Sequence, residues 1–284
     1  MLSIQKLSKT YVDGTRALSD INLTLPKGMV GLLGPNGAGK STLMRTLACI
    51  QPPDSGYVDF AGIDVLSEPM SLRKKLGYLP QYFGVYPNMS CLALLKHMAV
   101  LKGINDKSEQ QKQIDSLLAL TNLSDVANKK VSTFSGGMRQ RFGIAQALLG
   151  DPELVIMDEP TAGLDPSERE SLHSLLIHLS EQKLVLLSTH IVEDIENLCP
   201  HVAMINKGQI IQSAGVRGLI DKLDGKVWVT DETPSDDAII LSKSYQFGES
   251  CYRVYADEQP EPSAKPESAS LQDCYFLELR RAQA

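Results

Sequence analysis

GLLGPNGAGKST, residues 31–42, sets three glycines (Gly34, Gly37 and Gly39) within six residues, directly ahead of Lys40, Ser41 and Thr42. The run Met29–Leu33 before it is apolar and reads as a buried strand. Leu43, Met44, Leu47 and Ile50 after it recur at helical spacing. A glycine-rich loop between a strand and a helix is the context the phosphate-loop pattern requires, and Gly34-x-x-x-x-Gly39-Lys40-Ser41 matches it. Glycine lets backbone N–H groups turn inward, and the positive end of the following helix favours a polyanion. The loop residues Gly34, Pro35, Asn36, Gly37, Ala38, Gly39 and Thr42 are therefore read as a phosphate cradle. Lys40 is expected to reach the β- and γ-phosphates, and the Ser41 hydroxyl to ligate Mg2+.

Working outward, residues 1–30 read as β-structure with a turn at Asp13-Gly14, and residues 57–80 as short strands ending in LGYLPQ. From about 90 to 150 the apolar spacing becomes helical. ELVIMDEP (153–160) is a short apolar strand ending in two acids. Asp158 there is expected to hold Mg2+ through its water shell, and Glu159 to polarise the attacking water. FSGGMRQR (134–141) offers a second phosphate-binding helix start, with Ser135 as N-cap before Gly136 and Gly137. KLVLLSTH (183–190) is another buried strand, and Lys207-Gly208 a hairpin turn. Strands alternating with helices indicate a mostly parallel sheet. Beyond Gly218, three strands (ending at Phe247 for the second), a Pro/Glu/Ser-rich loop and a closing helix, LQDCYFLELRR, are expected.

Composition narrows the function. The 284 residues carry a net charge of −6, which disfavours a nucleic-acid surface. No window approaches the roughly 18 apolar residues of a membrane span, and MLSIQKLSKT lacks the apolar core of a secretory signal. The five cysteines lie far apart, as in a reduced cytosolic protein, and the five histidines show no metal-ligand spacing. His97, His173, His178 and His201 read as surface or packing residues.

In order and spacing, these motifs resemble those of the ATP-binding-cassette (ABC) ATPases over residues 1–218. Gly34–Ser41 corresponds to the family's Walker A loop, Gln81 in YLPQ to the Q-loop and FSGGM to the signature usually written LSGGQ. LVIMDE corresponds to Walker B, Ala162–Asp165 to the D-loop and His190 to the switch histidine. The resemblance implies an α/β fold. Its P-loop ABC ATPase core, a mixed sheet with helices, would carry an antiparallel β subdomain and an α-helical subdomain at about 84–150. A small α+β appendage at 219–284 would follow. It implies ATP and Mg2+ as ligands, with Tyr11 stacked on adenine, Gln81 near Mg2+ and His190 at the γ-phosphate. Glu159, His190 and Lys40 would be catalytic.

The family pairs two cassettes head to tail, so that Ser135, Gly136 and Gly137 of one close on the nucleotide of the other. The second cassette could be identical or a sister chain. The signature departs from the family at Phe134 and Met138, which leaves its phosphate-facing residues intact. The family also implies an integral membrane permease partner, no nucleic acid, and a cytoplasmic chain held at the inner face of the membrane. Gln81–Ser90, with Tyr82, Phe83 and Tyr86, is the expected docking surface. SLQDCYFLELRR resembles the closing segment of multidrug and ABC-2 type exporter cassettes. Two other readings stand beside this one: a non-transport ABC ATPase and a nucleotide-binding regulator. The single phosphate loop and the absence of a heptad run between it and Asp158 oppose the first. The presence of both Glu159 and His190 opposes the second.

Overall fold

A computed structural model of the chain describes residues 1–234, 238–246 and 248–282. In chain order the elements are β1 (Leu2–Thr10), β2 (Arg16–Leu25), β3 (Gly28–Leu33), α1 (Lys40–Leu47), β4 (Ser55–Phe60), β5 (Ile63–Asp64), α2 (Pro69–Lys75) and β6 (Leu76–Leu79). There follow α3 (Cys91–Leu101), α4 (Lys107–Leu120), α5 (Gly136–Leu148), β7 (Leu154–Asp158), α6 (Pro166–Ser180), β8 (Leu184–Thr189) and α7 (Val192–Leu198). The chain closes with β9 (His201–Asn206), β10 (Gln209–Gly215), α8 (Val216–Asp221), β11 (Val227–Thr230), β12 (Ile239–Gln246), β13 (Glu249–Tyr255), β14 (Lys265–Pro266) and α9 (Leu271–Arg281).

The central sheet has the order β10-β9-β3-β8-β7-β6, parallel except for the hairpin strand β10. An antiparallel sheet, β2-β1-β4-β5, covers one face of it. Side chains on a strand alternate between faces, so a strand buried on both sides feeds two cores. Val30 and Leu32 of β3, Leu154 and Ile156 of β7, and Leu184 and Leu186 of β8 pack with α1 and the antiparallel sheet. Their neighbours Met29, Leu33, Val155, Met157, Val185 and Leu187 enter the core made by α3–α7. The mixed α/β architecture is as the motifs imply.

The long helices start where the sequence supplies a capping oxygen. Ser90, Asp106, Ser135, Asp165 and Ser270 each accept a backbone N–H from the first turn of α3, α4, α5, α6 and α9. α2 was not anticipated. Its seven residues are too few for a clear period, although Pro69 at its start is a helix-opening residue.

The tail forms an antiparallel sheet, β12-β13-β11-β14, with α9 against it. The three expected strands are present, with Phe247, at the expected end of the second, outside the described residues; β14 adds a two-residue fourth. The core of this unit is continuous with the helical core: Val227, Leu241, Leu271, Cys274 and Leu277 belong to the same cluster as Ile195 and Leu198 of α7. The Leu271 N–H at the start of α9 donates to the Glu196 carboxylate on α7 (3.0 Å). Asp273 is buried, bonded by Arg253 at 2.9 and 2.7 Å and closing a capping box with Ser270. Among the described residues no helix is long and apolar enough to cross a membrane.

Candidate active site

The loop 34–39 leaves β3 and enters α1 at Gly39, whose φ of +107° lies in the region that favours glycine. The turn of the β9–β10 hairpin holds it from behind. The Gly208 N–H donates to the Ala38 carbonyl (2.9 Å), and the Gly208 carbonyl accepts from Ser19 of β2 (2.8 Å). A side chain on Gly39 would meet the Ala17 carbonyl at 2.5 Å, so the close approach of β2 demands glycine. The Lys40 ammonium donates to the Gly34 and Pro35 carbonyls at 2.7 and 3.1 Å. Burial pushes its pKa below the ordinary lysine value, and the Glu159 and Asp158 carboxylates act in the opposite direction.

These residues wall a cleft of about 520 Å3. It is lined by Tyr11, Asn36, Gly37, Gly39, Lys40, Ser41, Thr42, Gln81, Glu159 and His190 among the residues singled out from the sequence. Gly34, Pro35 and Ala38 do not line it: Pro35 is exposed, whereas Gly34 and Ala38 are buried at the back of the loop, where a side chain on Gly34 would lie 2.3 Å from the Ile205 carbonyl. Tyr11 sits at the end of β1, with its hydroxyl 3.1 Å from the Thr42 hydroxyl. Thr15, Arg16, Ala17, Lys207 and Gly208 also line the cleft. Sequence reasoning identified both hairpin turns but not that they close on one loop.

The two acids at the end of β7 are held differently. Asp158 is 1% exposed, and its carboxylate accepts from the Ser188 hydroxyl at 2.5 Å. Glu159 adopts φ +50°, a left-handed conformation that costs a residue with a side chain about 1–2 kcal/mol. Its N–H donates to both the carbonyl and the hydroxyl of Ser188, each at 3.1 Å, which fixes the turn. Its carboxylate then meets the other two site residues. The Gln81 amide donates to Oε2 at 3.0 Å, and His190 Nδ1 lies 3.3 Å from Oε1. Gln81, Glu159 and His190, from three separate strand ends, thus converge beside the phosphate loop. Ser188 was missed by sequence reading; a lone serine in an apolar strand was the available signal.

Ser135, Gly136 and Gly137 do not line this cleft. Ser135 caps α5, accepting from the Met138 N–H at 3.2 Å. Gly137 is packed from its own chain: a side chain there would lie 2.0 Å from the Glu168 carboxylate. The two signature departures are apolar packing residues. Phe134 is buried and Met138 packs partly buried against the helical core. In the segment after Gln81, Phe83 turns inward beneath Gly143, whereas Tyr82 and Tyr86 are 84% and 55% exposed. A second cleft of about 550 Å3 opens between the ends of α1 and α3, lined by Ala48, Ile50, Met70, Met98 and Leu101 with Arg73 and Lys102.

A phosphate loop on a parallel sheet, with acids ending β7 two places along from β3, defines a nucleoside-triphosphate-hydrolysing class of protein. Comparison with known proteins fixes the family. The family model described as ABC transporter matches residues 18–162. The ABC transporter ATP-binding protein NatA of Bacillus subtilis is 34% identical over 227 residues, covering 78% of this chain and 92% of NatA. A Nod factor export ATP-binding protein I, from Cupriavidus pinatubonensis, is 36% identical over 230 residues, 79% of this chain and 69% of that protein. Among solved structures, a dimeric ATP-binding cassette in a post-hydrolysis state, bound to ADP and Pi, superimposes with a TM-score of 0.70 at 28% identity. That match covers 77% of this chain and all of the other. The chain belongs to the ABC transporter family and is one of its ATP-binding, ATP-hydrolysing cassettes.

Proposed function

We propose that two such cassettes close head to tail around ATP and drive a membrane permease of the ABC-2 exporter type. One observation carries the pairing. The cleft gathers Lys40, Gln81, Glu159 and His190, while the second phosphate-binding helix start, Ser135–Gly137, lies outside it. A γ-phosphate touching both groups must bridge two chains. The solved relative that is dimeric with ADP and Pi supports this reading. In the closed pair, Glu159 polarises the attacking water while Lys40, His190 and the opposite signature helix offset the charge developing on the γ-phosphate. Tyr11, at the cleft's mouth, stacks on the adenine.

Ser41, Asp158 and Gln81 offer hydroxyl, carboxylate and amide oxygens, the hard donors Mg2+ takes, and three leave room for phosphate and water oxygens in an octahedral shell. Asp158 does not line the cleft and is already bonded to Ser188, which suits contact through water. When bound, Mg2+ would neutralise charge on the β- and γ-phosphates.

The apolar cleft at Ile50, Met70 and Leu101 suits a short permease helix, and the exposed Tyr82 and Tyr86 offer aromatic anchors for the same partner. Docking there would hold the cassette, as a peripheral subunit, at the inner face of the membrane. Export rather than import rests on the tail segment and on the Nod factor export relatives. Residues 1–218 are the catalytic cassette in this reading, and 219–284 an accessory unit.

Glu159→Gln decides the core of it. With ATP and Mg2+ the variant should sediment as a dimer and release no phosphate. A monomer at saturating ATP, or turnover at the wild-type rate, would overturn the proposal.

A further inference from the structure

Behind the cleft lies a polar cluster that the reaction outlined above does not use. Asp194, on α7, is 1% exposed. Its Oδ2 accepts the Thr161 hydroxyl at 2.6 Å, and its Oδ1 lies 3.2 Å from His173 Nε2 on α6. The His173 contact is at ion-pair distance but lacks hydrogen-bond alignment, so the Thr161 bond is the directional one. Thr161 is itself 2% exposed. A carboxylate is buried this deeply only at considerable cost unless its partners are well placed.

The connectivity gives the cluster its meaning. Thr161 sits two residues after Glu159, in a turn closed by the Ala162 N–H donating to the Glu159 carbonyl at 3.2 Å. Asp194 sits on the helix that begins two residues after His190. The hydroxyl–carboxylate bond therefore joins the turn that presents Glu159 to the helix led by His190, through residues that are buried and do not line the cleft. On the cleft side the same two residues approach at 3.3 Å. Ile195, next to Asp194, fills the space over Gly31 of β3, where an added carbon would fall 2.2 Å from it. The helix consequently has little freedom to slide on the sheet.

We propose that Asp194 is a positioning residue for ATP hydrolysis. Acting through the Thr161 hydroxyl, it locks the Glu159 turn to the His190 helix and so sets the separation of the two groups that handle the water and the γ-phosphate. The inference rests on the reading of Glu159 and His190 given above. Loss of the tie lets the two groups drift apart without altering the phosphate loop, so turnover falls while nucleotide binding is retained.

The full chain is assayed for steady-state ATP turnover and for affinity toward a fluorescent ATP analogue. Thr161→Val, which keeps the shape and removes the hydroxyl, should lower kcat about tenfold and change nucleotide affinity by less than about twofold. Thr161→Ser, which restores a hydroxyl, should recover most of the rate. Asp194→Asn should lower kcat to a similar degree, and combining it with Thr161→Val should add little, because both remove one interaction. The proposal is overturned if Thr161→Val leaves kcat unchanged, if affinity falls in step with kcat, if serine fails to rescue, or if the two losses multiply. Should Asp194→Asn fail to fold, the valine and serine variants decide the matter alone. Failure of the underlying reading looks different: Glu159→Gln would then retain turnover. If Glu159→Gln is inactive and Thr161→Val is fully active, only the positioning role is lost.

Discussion

Replacing Gly39 by alanine tests whether the phosphate loop takes its shape from the hairpins packed against it. Gly37 and Gly39 both have positive φ, +78° and +107°. Either alanine variant therefore suffers left-handed strain of about 1–2 kcal/mol. Their surroundings differ. A carbon added at Gly37 meets nothing within 4 Å, whereas one at Gly39 lies 2.5 Å from the Ala17 carbonyl oxygen, against the 3.4 Å at which ordinary contact begins. That oxygen belongs to the backbone of β2 and cannot swing away as the tip of a side chain would. Either β2 or the loop must move by nearly an ångström. Thermal unfolding of the unliganded chain should show Gly37→Ala losing about 2–8 °C, the strain alone at roughly 2–4 °C per kcal/mol for a chain of this size. Gly39→Ala should lose distinctly more. Its ATP turnover should fall by about a hundredfold, the usual consequence of an ångström's misplacement at a reacting centre. Equal losses of Tm in the two variants, or wild-type turnover in Gly39→Ala, would refute the reasoning.

Two further outcomes follow from the tail and the buried thiols. Arg253→Met leaves the Asp273 carboxylate buried without its cation and should cost about 3–5 kcal/mol, read as a fall in Tm of several degrees; a shift within about 1 °C would show that Ser270 alone satisfies the carboxylate. Burial pushes the Cys91 thiol up to about 11, Cys274 up to about 12 and Cys199 higher still, so iodoacetamide at pH 8 should modify Cys251 well before these three, as followed by mass spectrometry; early labelling of Cys199 or Cys274 would mean that α9 does not stay packed on α7.

Much of the site was legible because its chemistry is local. The cradle needs glycines, a lysine and a hydroxyl within a few residues, and the positive φ at Gly37 and Gly39 is what glycine supplies. Glu159 was readable as an acid ending an apolar strand. Its left-handed backbone was not, since the conformation is imposed by two bonds to Ser188, on a different strand. The surroundings of His173 likewise came only from the fold. That residue reads from sequence as an ordinary packing histidine, yet the crossing of α6 and α7 sets it beside a buried carboxylate. The tail's strands and closing helix were visible in their patterning, but their shared core with α7 was not: Leu271 and Glu196 are remote in sequence and meet only because α9 folds back.

By itself the sequence determined the phosphate loop, the alternation of strands and helices, the Ser135 helix cap and the residues proposed to handle a triphosphate. These follow from interactions spanning a few residues, where conformational preference and hydrogen-bonding chemistry are written directly into the residue types. Tertiary structure alone decided that Gln81, Glu159 and His190 share one cleft, that Gly208 closes over Ala38, and that the Ser135 helix stands apart from them. The sheet order brings distant strand ends side by side, and that order arises from burying both faces of β3, β7 and β8, a property of the whole chain rather than of any segment of it.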